Sequence, residues 1–374
     1  MKILQVFDFL SLPHGGGTVD IVYSLSRALS KRGHDVTVCI GDYELDRKYL
    51  DALRKVEKKV FHSWLNYHGF FIMPSLIGLD ITEYDVIHLH CYRSFQNAVI
   101  CAKARKHNVP YILDAHGSTV ELLGKKQLIR KLYDWVFGYK SLKYASLVIA
   151  ETEIGISEYK KLGVESHKEV LLHPLLDTEE FTTLPEVGLF RAKYKIRERY
   201  IVLFVGRIHW AKGIEVLLDA ARRLKDTRLV IVGQDDGHKA FLGNIISENR
   251  LNKKVLFTGF LSGENKLSAL VDADVLVQPS MNEAGIRPSL EAILCDTPVI
   301  VTRNTGAGKA IDKFNGGYLV EYGDARELAI TIRDIFRNYP EAQAKTARAK
   351  EYIRDNLSFD KQIIKYEKLY GVVV

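Results

Sequence analysis

One pattern, strand then glycine loop then helix then strand, occurs twice in this chain, once from residue 2 and again from residue 200. The first copy passes from the apolar run at 2–7 through Gly15, Gly16 and Gly17 into a helical repeat over 19–32. Its apolar face is Ile21, Leu25, Ala28 and Leu29, and a second strand follows at 35–40. Gly33 suits the residue just past the helix, where a left-handed conformation is needed. The second copy starts with YIVLFV at 200–205 and continues through Gly206, a loop carrying Arg207 and Lys212, a helix over 213–224 and a strand at 229–232. Continuous β-branched runs mark strands buried on both faces, and strands alternating with helices build parallel sheets. A chain of 374 residues exceeds what one core supports. The reading is therefore α/β, with two Rossmann-like doubly wound domains facing a central cleft. Pro174 and Pro185 bracket a polar stretch where the strand rhythm lapses, which places the boundary near Pro185 and the domains at 1–185 and 186–356.

Further strands of the first half are expected at 85–90, 111–114, 146–150 and 169–172. The segment Asp114-Ala115-His116-Gly117 then lies at the carboxyl end of a strand, where open α/β sheets meet their ligands. His88 and His90 alternate onto one face of their strand, and lone histidines in such places are more often structural. The glycines at 15–17 do not make G-x-G-x-x-G, and only Asp42 offers an acid after the second strand, so a dinucleotide site is not indicated. Three glycines before a helix suit either a tight turn or a close approach of backbone to phosphate.

In the second half, residues 278–300 read QPSMNEAGIRPSLEAILCDTPVI and follow an apolar strand at 273–278. Pro288 fits a first helical position, so a helix is expected to start there, with Glu283 on the loop before it and Glu291 at the end of its first turn. Acids so placed are commonly dipole partners or solvated groups, and paired carboxylates also suit a glycosidase, although these two share one element. Arg207 and Lys212 would stand beside a helix N-terminus and could together neutralise a diphosphate; alternatively they are exposed cations.

Taken together, P-S-x-x-E-x7-E-A and the later P-V-I around Glu283 and Glu291 resemble the E-x7-E segment of retaining glycosyltransferases of family 4, whose fold is called GT-B. V-G-R followed by K-G, at Arg207 and Lys212, resembles the family's phosphate-binding loop. The resemblance implies that Glu283 meets hydroxyls of the donor sugar, Glu291 holds the ribose, and Arg207 and Lys212 stabilise the leaving nucleoside diphosphate. It implies that the loop with Gly16 and Gly17 faces the diphosphate, that Gly206, Gly233 and Gly259 border the nucleotide, and that His116 lies near the donor sugar. Ala284, Gly285 and Ile286 stand where the family usually has Gly-Phe-Gly, so the donor-binding amides at Gly285 and Ile286 depart from the pattern. A C-terminal helix over 357–374 is implied to return to the N-terminal, acceptor-binding domain. The implied activity moves a sugar from a UDP- or GDP-sugar to an acceptor hydroxyl, lipid-linked or a polysaccharide precursor, with retention. It needs no side-chain nucleophile, because the leaving phosphate takes the acceptor proton; no cofactor is expected, and no metal, because Arg207, Lys212, the glycine loops and the helix beginning near Pro288 supply positive charge at the phosphates. A sugar-nucleotide epimerase of the same fold and a non-catalytic nucleotide-binding protein are the alternatives. A phosphorylase would need a pyridoxal lysine that cannot be placed.

At 47% hydrophobic and 26% charged residues the chain is globular rather than disordered or fibrous. A net charge of +7 permits acidic ligands or an anionic membrane surface, and no nucleic-acid partner is expected. Cys39, Cys91, Cys101 and Cys295 lack the spacing of a zinc site or disulfide framework, and no apolar run is long enough for a membrane span. Because the chain begins on a strand, a cytoplasmic protein is expected, with contact at the inner membrane face through residues 122–143. There Leu128, Leu132, Trp135 and Tyr139 share helical spacing with Lys125, Lys126, Arg130, Lys131, Lys140 and Lys143, and Asp134 is the lone acid. Such a helix either lies on an anionic membrane or turns its apolar face to the core. The run 305–309 lacks the Walker glycine spacing, and the adjacent Asp235 and Asp236, which could hold magnesium, are expected to be solvated.

Overall fold

The computed structural model describes residues 1–11, 16–67, 70–119, 127–281 and 283–374, apart from the side chains of 48 and 65–67. Two compact units result: Met1–Leu176 with Phe359–Val374, and Asp177–Ser358. The sequence places the boundary near Pro185; the division falls at Leu176 instead.

The first unit is built on a seven-stranded sheet. Its strands are β1 (Lys2–Phe9), β2 (Asp35–Gly41), β3 (Glu57–Phe61), β4 (Val86–His90), β5 (Tyr111–Asp114), β6 (Leu147–Ala150) and β7 (Glu169–Leu171). They lie in the order β3-β2-β1-β4-β5-β6-β7, every pair parallel. Such an order reverses between β1 and β4, which makes the carboxyl ends of these two strands a topological switch point. Helix α1 (Gly17–Lys31) joins β1 to β2 and buries Val19, Ile21, Val22, Leu25, Ala28 and Leu29, the face its spacing predicts. Strand β3 is absent from the sequence reading: its residues EKKVF are only partly buried at the sheet edge, so they lack the apolar run that marks a central strand. A short antiparallel pair, Leu65–Tyr67 with Phe70–Ile72, lies outside the main sheet.

After α2 (Phe95–His107), residues 127–143 form α3 (Gln127–Tyr133), one π-helical turn at Asp134–Gly138, and α4 (Tyr139–Lys143). Asp134 turns inward, where the guanidinium of Arg93 donates to both its oxygens at 2.9 and 2.8 Å. A π turn carries an extra residue and rotates the helix beyond it, which suits a segment anchored at one buried acid. Residues 120–126, with Lys125 and Lys126, lie outside the described residues, as does Gly15.

The second unit has a six-stranded parallel sheet: β8 (Tyr200–Val205), β9 (Thr227–Val232), β10 (Val255–Gly259), β11 (Val275–Gln278), β12 (Val299–Thr302) and β13 (Tyr318–Val320). Their order is β10-β9-β8-β11-β12-β13, again reversing beside the first strand of the copy. Helices α5 (Ile214–Ala221), α6 (Lys239–Glu248), α7 (Arg287–Leu294) and α8 (Gly306–Lys313) supply crossovers. The final helix, α9 (Phe359–Val373), belongs to the first unit. Its Glu367 accepts from Arg32 Nε at 2.7 Å and lies 3.0 Å from His34 Nε2, so the end of α1 and the last helix are clamped together.

Candidate active site

The loops leaving β8 and β11, neighbouring strands of the second sheet, carry a cluster of opposite charges. Gly213 takes φ 63°, and a Cβ there would stand 2.1 Å from the carbonyl oxygen of Pro279. Only glycine lets the two loops approach so closely. Met281 N–H then donates to Ala211 O at 2.9 Å, fixing one loop on the other. The outcome is a direct ion pair between Lys212 Nζ and Glu283 Oε2, both side chains nearly buried at 18% and 17% exposure. Gly285 N–H donates to Glu283 Oε1 at 3.3 Å, and the Glu283 carbonyl accepts from Gly306 N–H at 2.6 Å, at the head of α8. Glu283 is held from three directions.

Arg207 stays on the exposed side of the same loop, where Nη1 donates to Asp236 Oδ2 at 2.6 Å. Asp235 accepts from the N–H groups of His238 and Lys239, both at 3.0 Å, and so caps the start of α6. The two aspartates are thus engaged separately. Close backbone approach recurs at the ends of β8 and β9: a Cβ on Gly233 would fall 1.8 Å from Gly206 O, and Gly206 N–H donates to Val232 O at 3.0 Å. Gly233 N–H donates to Gly259 O at 2.9 Å, which places Gly206, Gly233 and Gly259 along one sheet edge.

Helix α7 begins at Arg287, one residue before the expected Pro288, which occupies its second position. Glu291 consequently sits in the second turn rather than the first, because Arg287 accepts helical φ/ψ despite preceding proline. It is 3% exposed and receives two cations on Oε1, from Lys266 Nζ at 2.9 Å and Arg287 Nε at 3.0 Å. Burial alone would raise this carboxyl, but the charges of Lys266 and Arg287 outweigh it and hold the group below its ordinary range. Ile286 is fully buried and Ala284 nearly so. Thr305 caps α8 by accepting from Gly308 N–H at 2.9 Å, so 305–309 form a helix start.

In the first unit, His116 follows β5 in a left-handed conformation, φ 47°, which side chains adopt rarely. Its amide donates to Asp114 Oδ1 at 3.1 Å. Both ring nitrogens are occupied: Nδ1 lies 2.8 Å from Glu151 Oε1 and Nε2 2.8 Å from His90 Nδ1. Among the described residues, Asp114, His116 and Glu151 are the group whose ligand atoms all fall within 4.8 Å of one another. His88 and His90 are fully buried, with ring centroids 4.2 Å apart. Gly16 takes φ 51° immediately before α1, and Gly17 is its first residue.

Sequence reasoning missed Lys266, Arg287 and Glu151. Arg287 stands four residues before Glu291, a spacing that pairs opposite charges on a helix. Glu151 directly follows β6, a position the carboxyl-edge rule would have flagged. Lys266 reaches Glu291 from a different helix and left no local signal.

Against known proteins, residues 188–354 match the family model of glycosyl transferases group 1, and residues 15–180 that of Glycosyltransferase Family 4. The chain belongs to glycosyltransferase family 4. It is 26% identical to an uncharacterized glycosyltransferase of Methanocaldococcus jannaschii, the alignment covering 92% of each chain. It is 24% identical to the N,N'-diacetylbacillosaminyl-diphospho-undecaprenol alpha-1,3-N-acetylgalactosaminyltransferase of Campylobacter jejuni, over 97% of this chain and 98% of that one. The crystal structure of Anabaena HepE in complex with UDP and glucose superposes with a TM-score of 0.84 at 18% identity, all of both chains covered. That likeness establishes the GT-B fold, and the family establishes glycosyl transfer as the activity class.

Proposed function

We propose that this glycosyltransferase moves a sugar from a nucleotide-sugar donor to an acceptor hydroxyl with retention of anomeric configuration. The observation that carries the reading is the Lys212–Glu283 pair, a cation and a carboxylate seated together on adjoining strand-end loops of the second unit. As the glycosidic bond breaks, negative charge grows on the diphosphate, and preorganised cations stabilise that charge better than they stabilise the substrate. Lys212 and Arg207 take this role, exchanging their present carboxylate partners, Glu283 and Asp236, for phosphate oxygens. Glu283, released toward the sugar, accepts from its hydroxyls. Glu291 orders the ribose through the charge network it shares with Lys266 and Arg287. Gly206, Gly233 and Gly259 leave room for the nucleotide along the sheet edge. No side chain is needed as a nucleophile, since the leaving phosphate accepts the acceptor's proton. The UDP and glucose bound to HepE, which shares this fold, support a uridine rather than a guanosine donor for this chain.

The acceptor reading follows from residues 127–143. Leu128 is 78% exposed and Trp135 73%, with Ile129, Leu132, Phe137 and Tyr139 exposed beside them. The four apolar residues that share helical spacing therefore face solvent, because Asp134, Gly138, Ser141 and Leu142 are what the segment buries. Exposed Lys131, Lys140 and Lys143 accompany them, which suits an anionic membrane carrying a lipid-linked acceptor. The relative whose name specifies a diphospho-undecaprenol acceptor supports this. No helix among the described residues is long and apolar enough to cross a membrane.

The test is nucleotide release from a panel of UDP-, GDP- and ADP-sugars, with and without lipid-linked and soluble acceptors, with the anomeric configuration of the product read by NMR. Release coupled to a retained product supports transfer. Isomerised donor without acceptor would indicate an epimerase, and tight nucleotide binding without turnover a regulatory protein.

A further inference from the structure

At the switch point of the first sheet, Asp8, the penultimate residue of β1, is buried against the first turn of α2, where Gln96 Nε2 donates to its Oδ1. Gln96 is 1% exposed, and among the described residues its Oε1 has no hydrogen-bond partner. A buried acceptor without a donor carries the full desolvation penalty of that group. Asp8 stands in a similar position. Burial raises its carboxyl to about 7, Ser94 works weakly against that, and no cation among the described residues offsets it. Arg93, one residue before Ser94, is taken up by both oxygens of Asp134 and by Ser118 O, to which Nη1 donates at 2.6 Å. Tyr133 of α3 completes the group: its hydroxyl donates to Ser94 O at 2.7 Å and accepts from Ser94 N–H at 3.2 Å. Burial, and after it neighbours that include Asp8, push this phenol above its ordinary pKa, so Asp8 and Tyr133 are within electrostatic reach of each other. Phe70 packs on the Tyr133 ring with centroids 6.0 Å apart and planes at 75°.

We propose that Asp8 and Gln96, walled by Tyr133 and Phe70, form the site that holds the acceptor sugar and receives two of its hydroxyl groups. The proposal rests on the transferase reading above and deepens it by naming acceptor-binding residues. What the site lacks is hydrogen: Gln96 Oε1 and the Asp8 carboxyl are acceptors withdrawn from water, so the ligand must bring the donors. A neutral polyol suits them better than an ammonium, because burial holds the carboxyl toward its uncharged form. Aromatic walls with a few placed polar groups are also how pockets orient small ligands. The 9% of Asp8 left uncovered is where the sugar enters, at the carboxyl edge of an open sheet beside its switch point. Tyr133 lies on α3, whose exposed Leu128, Ile129 and Leu132 carry the membrane reading. One short helix thus faces the lipid with one side and the sugar of that lipid with the other. Folding alone would favour an amide at position 8, and sequences depart from what folding favours chiefly at functional sites.

The experiment is saturation-transfer NMR on the full-length protein, with and without UDP, using the methyl glycosides of glucose, galactose, mannose and N-acetylglucosamine as probes. At least one glycoside should bind the wild type, and UDP should not displace it. Asp8→Asn, which sets an N–H donor where an acceptor stands, should weaken that glycoside at least about tenfold, and Gln96→Leu likewise, with calorimetric affinity for UDP unchanged in both. Asp8→Asn removes a carboxyl whose charge burial opposes, so it folds as well as the wild type and judges the site even where Gln96→Leu does not fold. A deoxy-glycoside lacking the hydroxyl read by Gln96 should bind the wild type about tenfold more weakly and lose nothing further in Gln96→Leu. No binding of any glycoside, displacement by UDP, or equal binding by the wild type and the folded variants would each overturn the site. Glycoside binding that both variants lose, with no turnover of any donor, would defeat the transferase reading alone, since the spectra report the sugar without it.

Discussion

Lys212 and Glu283 lie 71 residues apart in the chain and form an ion pair, joined because the loops after β8 and β11 are pressed together at Gly213 and Pro279. A pair so placed is poised for exchange: each partner keeps part of its surface for a ligand, and each has a different ligand group to receive. Replacing Lys212 by Ala is therefore expected to slow donor turnover about a hundredfold or more, as expected when developing charge loses a preorganised donor. Near-normal kcat/KM in folded Lys212→Ala protein would remove the lysine from the mechanism. The double variant with Glu283→Gln should lose less than the two single losses combined, since the groups are in contact.

Separate consequences are expected from the two glutamates. Glu283→Gln should leave calorimetric affinity for free UDP nearly intact and lower turnover, whereas Glu291→Gln should weaken UDP itself about tenfold. The second change also leaves Lys266 and Arg287 around a neutral amide, and breaking a buried pair costs about 3 kcal/mol or more. Equal loss of UDP affinity in both variants would refute the division of roles. The Glu291 contribution has a pH signature: its folded pKa is depressed, so the stabilisation is complete above 4.5 and fades as pH falls through the lower folded value.

Asp8, on β1, gives the opposite sign. Burial raises its carboxyl to about 7 from 3.8, partly relieved by Ser94, and Gln96 Nε2 donates to it. A raised folded pKa means the stabilisation is complete below 3.8 and is lost as pH rises through about 7. Asp8→Asn should thus match the wild type in Tm near pH 4 and exceed it above pH 7, by about 1.4 kcal/mol for each tenfold difference in proton affinity between the folded and unfolded carboxyl. A Tm difference independent of pH would show that folding does not raise the Asp8 carboxyl.

Turnover is expected to persist in excess EDTA and to gain nothing from magnesium or manganese. Positive charge at the proposed phosphate site comes from Arg207 and Lys212, while Asp235 caps α6 and Asp236 pairs with Arg207, so these acids do not form a ready pair of ligands for a hard cation. Activity lost in chelator and restored by either metal would overturn this.

Binding to vesicles is expected to depend on the segment 127–143. Leu132→Ser with Trp135→Ser should reduce sedimentation with phosphatidylglycerol vesicles at least about tenfold, and high salt should weaken the wild type alike, because both apolar area and basic charge contribute. Unchanged binding in the double variant would move the contact elsewhere.

Features under the control of local periodicity and backbone chemistry were legible in the chain alone. Apolar runs such as 200–205 and 275–278 read as buried parallel strands, the glycines before α1 and α5 marked the turns, and Glu283, Arg207 and Lys212 stood out because the motifs around them resemble those of family 4. Which charges meet was settled by folding. Lys266 reaches Glu291 across helices, and Asp8, Gln96 and Tyr133 are gathered from β1, α2 and α3, none with a fixed spacing to its partner. Folding also turned Leu128 and Trp135 outward, since a helical stripe looks the same in sequence whether core or solvent lies beyond it. Here the burial of Asp134 against Arg93 settles the rotation, and that pairing spans 41 residues. Long-range electrostatics and packing carry no period, so they become visible only when the chain is folded.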